Sequence, residues 1–254
     1  MDKQHFKIIV TCRNAEKWIA KSIGSILRQD YPNYEAVVID AKSEDNTFGI
    51  LREYIPVSDK ITVVQNETIQ TAIVNNFEAI DIANPSDEDV LVFLDGDDWF
   101  YDSHTLEHLN EAYADPDVWI TWGNYLMSTK KIYHGSRNIP ADYNLRKERW
   151  VTCHLKTCKY FLWRNIADKD FRHTATGEYY TVCRDAAFMW PMLEMAGAEH
   201  WKFIDKILYV YNSANENSDY SIHKSQRKVC VRDMRNRPPY TAKTKEQLLK
   251  GESI

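Results

Sequence analysis

Residues 90–99 read Val90-Leu91-Val92-Phe93-Leu94-Asp95-Gly96-Asp97-Asp98-Trp99, an apolar run that leads directly into three carboxylates around a glycine. A short continuous apolar run predicts a strand buried on both faces, as in the centre of a parallel sheet. Carboxylates are costly to bury unless they are paired or bound to a metal, so we expect them at the carboxyl end of this strand. Ligands of open α/β sheets bind at that edge.

The three acids have the chemistry of a metal site. Gly96 lacks a side chain and permits a tight bend, so that Asp95, Asp97 and Asp98 can face one point. Hard oxygen ligands of this kind suit Mg²⁺ or Mn²⁺, which also take waters and substrate phosphate oxygens. The alternative is an acidic turn, because Asp and Gly are common turn residues. Three acids in four positions after a buried strand favour the metal.

The first half of the chain alternates between predicted strands and helices. We expect strands at 7–11, 34–40, 61–64 and 90–94, with helices at 15–27, from the turn at 42–46 to about 54, and at 69–83. This order predicts an α/β fold with a mostly parallel central sheet and helices on both faces. Thr11, Asp40 and Asp95 then lie at one sheet edge, which favours a mononucleotide site. GxGxxG and GxxxxGK[ST] motifs are absent, so neither a dinucleotide fold nor a P-loop is supported.

The second half is less regular. We expect a helix at 105–114, a strand at 118–123, a hairpin and loop over 124–150, a helix at 156–165 and a loop at 166–184. A very apolar helix at 186–196 and a strand at 201–211 follow. Residues 212–240 are polar and basic, and a last short helix is predicted at 243–250.

Composition limits the classes of function. The net charge of -5 gives no overall attraction to nucleic acid, and no stretch has the length of a membrane span. The N-terminal residues lack the apolar region of a signal peptide. The five cysteines are scattered and form no CxxC pair, so we predict free thiols in a reducing compartment. We expect a cytoplasmic protein, acting in solution or at the inner face of a membrane.

Several motifs, in order, resemble family 2 glycosyltransferases of the GT-A (Rossmann-like) fold. The opening strand and its Asn turn, the helix that ends in Gln29 before Tyr31-Pro32, and the Ser-x-Asp-x-Thr turn at 43–47 are similar to family features. Residues 93–99 match the DxD region, and Arg184-Asp185 stands where the family has its xED motif. Two departures are Ala41, where a second acid is usual, and Arg184, where the family has Glu.

The resemblance implies a metal-dependent, inverting transferase that moves one sugar from a nucleoside diphosphate sugar, with UDP as the expected nucleotide. The acceptor would be a hydroxyl of a glycan, a lipid-linked molecule or a protein. Because the Gln-x-x-Arg-Trp motif of processive members is absent, we expect a single transfer. Residues 1–123 would bind the donor, 124–240 would form a smaller acceptor-side part with a mobile C-terminal loop, and 241–254 would be a tail.

The site residues follow from the same resemblance. Asp185 would be the catalytic base; the nucleotide would contact Thr11, Asp40, Asp95 and Asp97; and Mn²⁺ or Mg²⁺ would bind Asp97, Asp98 and His223. Each assignment has a structural alternative. Asp185 is also what a plain helix N-cap would be, Asp40 is also typical of a turn or cap acid, and a lone His in a polar loop is usually solvated.

Other functions remain open at the level of sequence. A nucleotidyltransferase also uses carboxylates and Mg²⁺ at a sheet edge, although residues 11–14 are not its usual Gly-rich basic loop. Ala41 and Arg184 leave room for a non-catalytic module that binds nucleotide sugars. The basic residues between 224 and 237 are interpreted as a lid over the diphosphate, or as a solvated face or weak patch for an anionic acceptor or membrane surface.

Overall fold

A computed structural model describes residues 3–129, 131–215 and 224–251. The strands are Phe6–Cys12 (β1), Tyr34–Asp40 (β2), Ile61–Gln65 (β3), Val90–Asp95 (β4), Trp99–Phe100 (β5), Ile120–Gly123 (β6), Tyr125–Met127 (β7), Ile132–Tyr133 (β8), Cys153–Lys159 (β9), Trp201–Ile204 (β10) and Tyr209–Tyr211 (β11). The helices are Ile19–Leu27 (α1), Thr47–Tyr54 (α2), Ala72–Ala83 (α3), Thr105–Tyr113 (α4), Tyr160–Trp163 (α5), Arg184–Ala196 (α6), Lys224–Arg235 (α7) and Lys245–Lys250 (α8).

A seven-stranded sheet forms the centre of the molecule, in the order β10-β6-β9-β4-β1-β2-β3. The pairs β1–β2, β1–β4, β2–β3 and β6–β10 are parallel, whereas β9 runs antiparallel to both β4 and β6. A small second sheet has the order β5-β11-β7-β8. The predicted α/β class with a mostly parallel sheet is confirmed.

The central strand β4 is buried on both faces, as its apolar run predicts. Leu91 and Phe93 pack into one core with α3 and α6, while Val90, Val92 and Leu94 pack into the other with α1 and α4. The alternation follows from the period of two along a strand. Helices therefore cover both sides of the sheet, and only its edges are left for polar groups.

Three local predictions were wrong. Residues 153–159 form a strand, and the helix that follows is a single turn, because β9 fills the space between β4 and β6 and buries Leu155 and Cys158. The predicted strand at 201–211 is two strands in different sheets. Residues 224–235, expected within a polar loop, form a helix that buries Cys230 and Met234.

Three other predictions agree with the structure of the described residues. All five cysteines are free thiols. Within the described ranges, every helix falls short of the length and hydrophobicity that crossing a bilayer requires. The hairpin expected after residue 124 is present as β7 and β8.

Candidate active site

The predicted site begins at the carboxyl ends of β1, β2 and β4. In the parallel register Thr11 stands opposite Asp95, and Cys12 stands opposite Asp40. Three of the predicted nucleotide contacts are therefore brought to one edge of the sheet, as expected. Asp97 lies in the turn that directly follows β4.

Gly96 is required by the close approach of β4 to β1. A Cβ atom at this position would lie 2.3 Å from the Cβ of Cys12 and 3.2 Å from the carbonyl oxygen of Thr11. The backbone N–H of Gly96 donates to that same carbonyl at 3.0 Å. The chain can bend across the end of β1 only because no side chain stands in the way, and this bend directs the acidic residues to the sheet edge.

Asp97 and Asp98 have different environments. Asp98 is buried, and its two oxygens accept hydrogen bonds from the Tyr209 hydroxyl at 2.5 Å and from the Asn212 backbone N–H at 2.6 Å. Burial, with the charge of Asp97, raises the pKa of Asp98 well above its usual range despite these bonds. Asp97 is only half-buried, and the Asn215 amide donates to its Oδ2 at 2.7 Å. Asp97 is thus the more exposed of the two acids, whereas Asp98 connects the turn after β4 to β11 and the residue that follows it.

Asp185 lies in the first turn of α6 and pairs with a lysine from the sheet. Lys156 of β9 is 2% exposed, and its Nζ lies 2.7 Å from Asp185 Oδ2. Burial opposes ionisation of Asp185, but nearby positive charge, that of Lys156 foremost and that of Arg184 after it, outweighs burial and holds the pKa of this carboxyl well below its usual range. Asp185 is therefore ionised at neutral pH, and because its side chain is 35% exposed it remains accessible.

A small cavity joins this carboxylate to the end of β4. Its wall includes Asp95, His154, Lys156, Arg184 and Asp185, and it encloses about 10 Å³, room for about one water molecule. Burial and the neighbouring Lys156 charge lower the pKa of His154 to about 3, so this ring is neutral at physiological pH. The cavity brings together carboxylates that are ninety residues apart in sequence.

The guanidinium of Arg184 lies across the cleft. Its Nη1 donates to Thr11 Oγ1 at 2.8 Å, its Nη2 contacts Asp95 Oδ1, and its Nε lies 3.9 Å from Asp185 Oδ1. One side chain thus connects β1, β4 and α6 at the site.

Comparison with known proteins identifies the family. Residues 7–171, well over half of the chain, match the model described as "Glycosyl transferase family 2". The chain belongs to that family. It is 32% identical over 126 residues to the UDP-Glc:alpha-D-GlcNAc-diphosphoundecaprenol beta-1,3-glucosyltransferase WfgD of Escherichia coli, a match that covers 49% of this chain and 47% of WfgD. The matched chain thus spans about half the length of this curated relative.

Solved structures support the GT-A fold of this member of the family. S. aureus TarS 1-349 in complex with UDP superposes with a TM-score of 0.63 at 18% identity, covering 97% of this chain and 70% of that one. The mannosyltransferase PcManGT from Pyrobaculum calidifontis, in complex with GDP-Man and Mn²⁺, gives a TM-score of 0.52 at 18% identity, covering 85% of this chain and 59% of that one. At such identities the likeness concerns the fold.

Asp40 is fully buried, and its carboxylate is hydrogen-bonded within the protein. Its carboxylate accepts hydrogen bonds from the backbone N–H and hydroxyl of Ser43 and from the Gln65 side-chain amide at 2.8 Å. The next turn is tied to the first strand, since the Asn14 side chain accepts from the Glu44 N–H at 2.9 Å. Asp40 therefore holds the loop that follows β2, as the structural alternative of a turn acid would, and its contact with a nucleotide stays a prediction.

Sequence reasoning missed Lys156 and Tyr209 as residues of the candidate site. Both lie on strands, and each holds a predicted acid: Lys156 holds Asp185, and Tyr209 holds Asp98. Lys156 is a lysine within a mostly buried strand. Once residues 153–159 are assigned as a strand, a buried lysine there indicates an acidic partner, but the sequence predicted a helix at this position. His223, the third predicted metal ligand, lies outside the described residues.

The residues present fit a divalent ion that is shared with a diphosphate. Among the described residues, no three His, Cys, Asp or Glu side chains are grouped so that they hold a metal by themselves. Mg²⁺ and Mn²⁺ at phosphate sites typically use one or two carboxylates and take waters and phosphate oxygens for the rest. Asp97 and Asp95, at the rim of the cleft, are carboxylates of this kind. Asp98 fits less well, because both of its oxygens already accept short hydrogen bonds.

Proposed function

We propose that this family 2 transferase moves one sugar from a UDP-sugar to an acceptor hydroxyl, with the aid of Mn²⁺ or Mg²⁺ and with inversion at the anomeric carbon. The observation that carries the proposal is the cavity shared by Asp95, at the nucleotide edge of the sheet, and Asp185, at the start of α6. A carboxylate on the donor side and an ionised carboxylate on the opposite element are the two groups that such a transfer needs.

The donor would occupy the strand-end edge. Thr11 and Asp95 would contact the nucleoside, and the loop held by Asp40 would border the base. Asp97, with Asp95, would hold the divalent ion, which supplies positive charge to the departing diphosphate. UDP is the nucleotide bound in the TarS complex, and the name of WfgD specifies UDP-Glc, whereas PcManGT is in complex with GDP-Man.

Asp185 would act as the general base. The acceptor oxygen forms a bond to the anomeric carbon as the bond from that carbon to the phosphate oxygen breaks, and the hydroxyl proton passes to Asp185. The nucleoside diphosphate leaves with the electron pair of the broken bond. Attack from the face opposite the leaving group inverts the anomeric centre. Lys156 keeps this carboxylate unprotonated at neutral pH, which is the form that a general base needs.

The acceptor would approach over β9 and α6. His154 and Lys156 line the cavity on this side, and the neutral ring of His154 stacks on Tyr209 with centroids 4.4 Å apart. A rigid ring and a fixed charge beside Asp185 would orient the hydroxyl of a glycan, lipid-linked or protein acceptor.

Calorimetry with UDP- and GDP-sugars, with and without Mn²⁺, followed by assays of donor hydrolysis and of transfer to acceptor pools, tests the proposal. We expect metal-dependent binding of UDP-sugars and slow release of UDP. Binding without turnover to any acceptor, together with an absence of hydrolysis, would favour a non-catalytic module. Release of pyrophosphate from a nucleoside triphosphate would favour a nucleotidyltransferase.

A further inference from the structure

Arg184 occupies the cleft between the end of β4 and the start of α6. Its two terminal nitrogens are used by Thr11 on β1 and Asp95 on β4, and its side chain is 20% exposed. With the guanidinium in this position the cavity has room for about one water molecule. A diphosphate cannot enter this part of the cleft unless Arg184 moves.

The partners of Arg184 are the groups that the donor and its metal would use. A divalent cation at Asp95 would meet a positive guanidinium at the same carboxylate oxygen, and like charges at contact distance repel. A nucleoside that hydrogen-bonds Thr11 would meet the same obstacle. Cation and nucleotide therefore both compete with Arg184 for the end of β1 and β4.

A displaced guanidinium has an obvious new partner. Its planar array of N–H donors matches phosphate oxygens and binds them in pairs. Arg184 is the first residue of α6, so its backbone stays beside Asp185 while its side chain changes direction. The diphosphate of a donor lying between the sheet edge and Asp185 would pass within the region that this side chain already occupies.

We propose that Arg184 is an exchangeable cation of the donor site, which contacts Asp95 and Thr11 and transfers to the diphosphate when a nucleoside diphosphate binds. The inference rests on the proposed function and names a specific contact within it. Arg184 then has opposite effects on two ligands: it weakens binding of the metal alone and strengthens binding of the nucleotide.

The test is the Arg184→Gln variant, which removes the charge, compared with Arg184→Lys, which keeps the charge but lacks the planar fork. Mn²⁺ binding without nucleotide is followed by the electron paramagnetic resonance signal of the free ion, and UDP binding at saturating Mn²⁺ is followed by calorimetry. The matched control is Arg164→Gln. Arg164 pairs with Asp87 at 2.8 Å and contacts α8, at the opposite edge of the sheet.

For Arg184→Gln we expect Mn²⁺ to bind about tenfold more tightly and UDP about tenfold more weakly, the size of one lost charged hydrogen bond. Arg184→Lys should keep the wild-type affinity for Mn²⁺ and lose part of the affinity for UDP. Arg164→Gln should leave both affinities unchanged.

Affinities that both fall in Arg184→Gln would indicate a merely structural role and overturn the inference, as would affinities that do not change. Circular dichroism of Arg184→Gln shows whether the variant is folded, and so separates either outcome from misfolding. A wild-type protein that binds no nucleoside diphosphate would overturn the proposed function and the inference with it. Wild-type binding of UDP that Arg184→Gln leaves unaltered would overturn the inference alone.

Discussion

Lys156 Nζ lies 2.7 Å from Asp185 Oδ2, and this contact joins the antiparallel strand β9 to the first turn of α6. Burial alone would favour the protonated acid, yet the lysine and its neighbours depress the pKa of Asp185. A carboxyl whose pKa is lowered by folding stabilises the protein at pH values above its unfolded pKa of about 3.9. That contribution is lost as the pH falls through the lower folded pKa.

Replacing Lys156 with Met should shift the acid limb of the activity profile upward. Without the lysine charge the pKa of Asp185 rises, by roughly one to three units for the loss of one close cation. The base is then protonated, and activity lost, at a higher pH than in the wild type. The pH dependence of kcat/KM measures the shift, and an unmoved acid limb would argue against Asp185 as the base.

The same variant should lower stability. Breaking a fully buried ion pair costs about 3–5 kcal/mol, and the cost here should be smaller because Asp185 is 35% exposed. Urea unfolding at pH 7 gives the value. Since the depressed pKa of Asp185 stabilises the fold above its unfolded pKa, the difference between wild type and variant should shrink as the pH is lowered below that value.

Asp185→Asn should abolish transfer and leave donor binding nearly intact. The amide has almost the same shape but cannot accept a proton, so kcat should fall by about 10²- to 10⁴-fold, the usual contribution of a general base. Calorimetric affinity for UDP with Mn²⁺ is the control. Turnover close to the wild-type rate in this variant would refute the assignment.

Asp97→Asn should mainly affect metal binding, whereas Asp98→Asn should mainly affect stability. Because Asp97 is proposed to hold the metal, its replacement should reduce Mn²⁺-dependent UDP binding with little effect on unfolding. Because Asp98 accepts from Tyr209 and the Asn212 N–H, its replacement should cost about 1–3 kcal/mol of unfolding free energy and have the smaller effect on Mn²⁺. Equal loss of metal binding in both variants would instead indicate that Asp98 is a ligand.

Gly96→Ala should destabilise the protein and weaken UDP binding, because the new Cβ would stand 2.3 Å from the Cβ of Cys12 and the turn must shift. Overpacking of this kind costs about 1–3 kcal/mol. Gly24→Ala in α1 is the matched control. Its Cβ meets only the end of the Arg28 side chain at 3.0 Å, so a gain of about 0.5–1 kcal/mol in helix propensity is expected. Thermal unfolding measures the stability of each variant. A Gly96→Ala protein as stable as the wild type would contradict the expected clash.

The sequence predicted the fold best where a single local pattern was strong. The short continuous apolar run before Asp95 predicted a central strand, because such a run is typical of a strand that is buried on both faces. The alternation of strands and helices then placed Thr11, Asp40 and Asp95 at one edge of the sheet. β9 was misassigned because its pairing partners, β4 and β6, are remote in sequence, and their hydrogen bonds outweigh local preference. The separate roles of Asp97 and Asp98 depend on Tyr209 and Asn212, more than one hundred residues away, so local pattern could not distinguish the two acids.

The position of β9 between β4 and β6 has a consequence for how such enzymes diversify. A strand that follows residue 123 completes the very sheet that carries the acids of the first hundred residues. Residues 1–123 and 124–240 are therefore not separable units, and a chimaera cut after residue 123 would break four strand pairings at once, β4–β9, β6–β9, β6–β10 and β5–β11. New specificities in this architecture should arise by substitution in the loops at the sheet edge, with the shared strand kept in place.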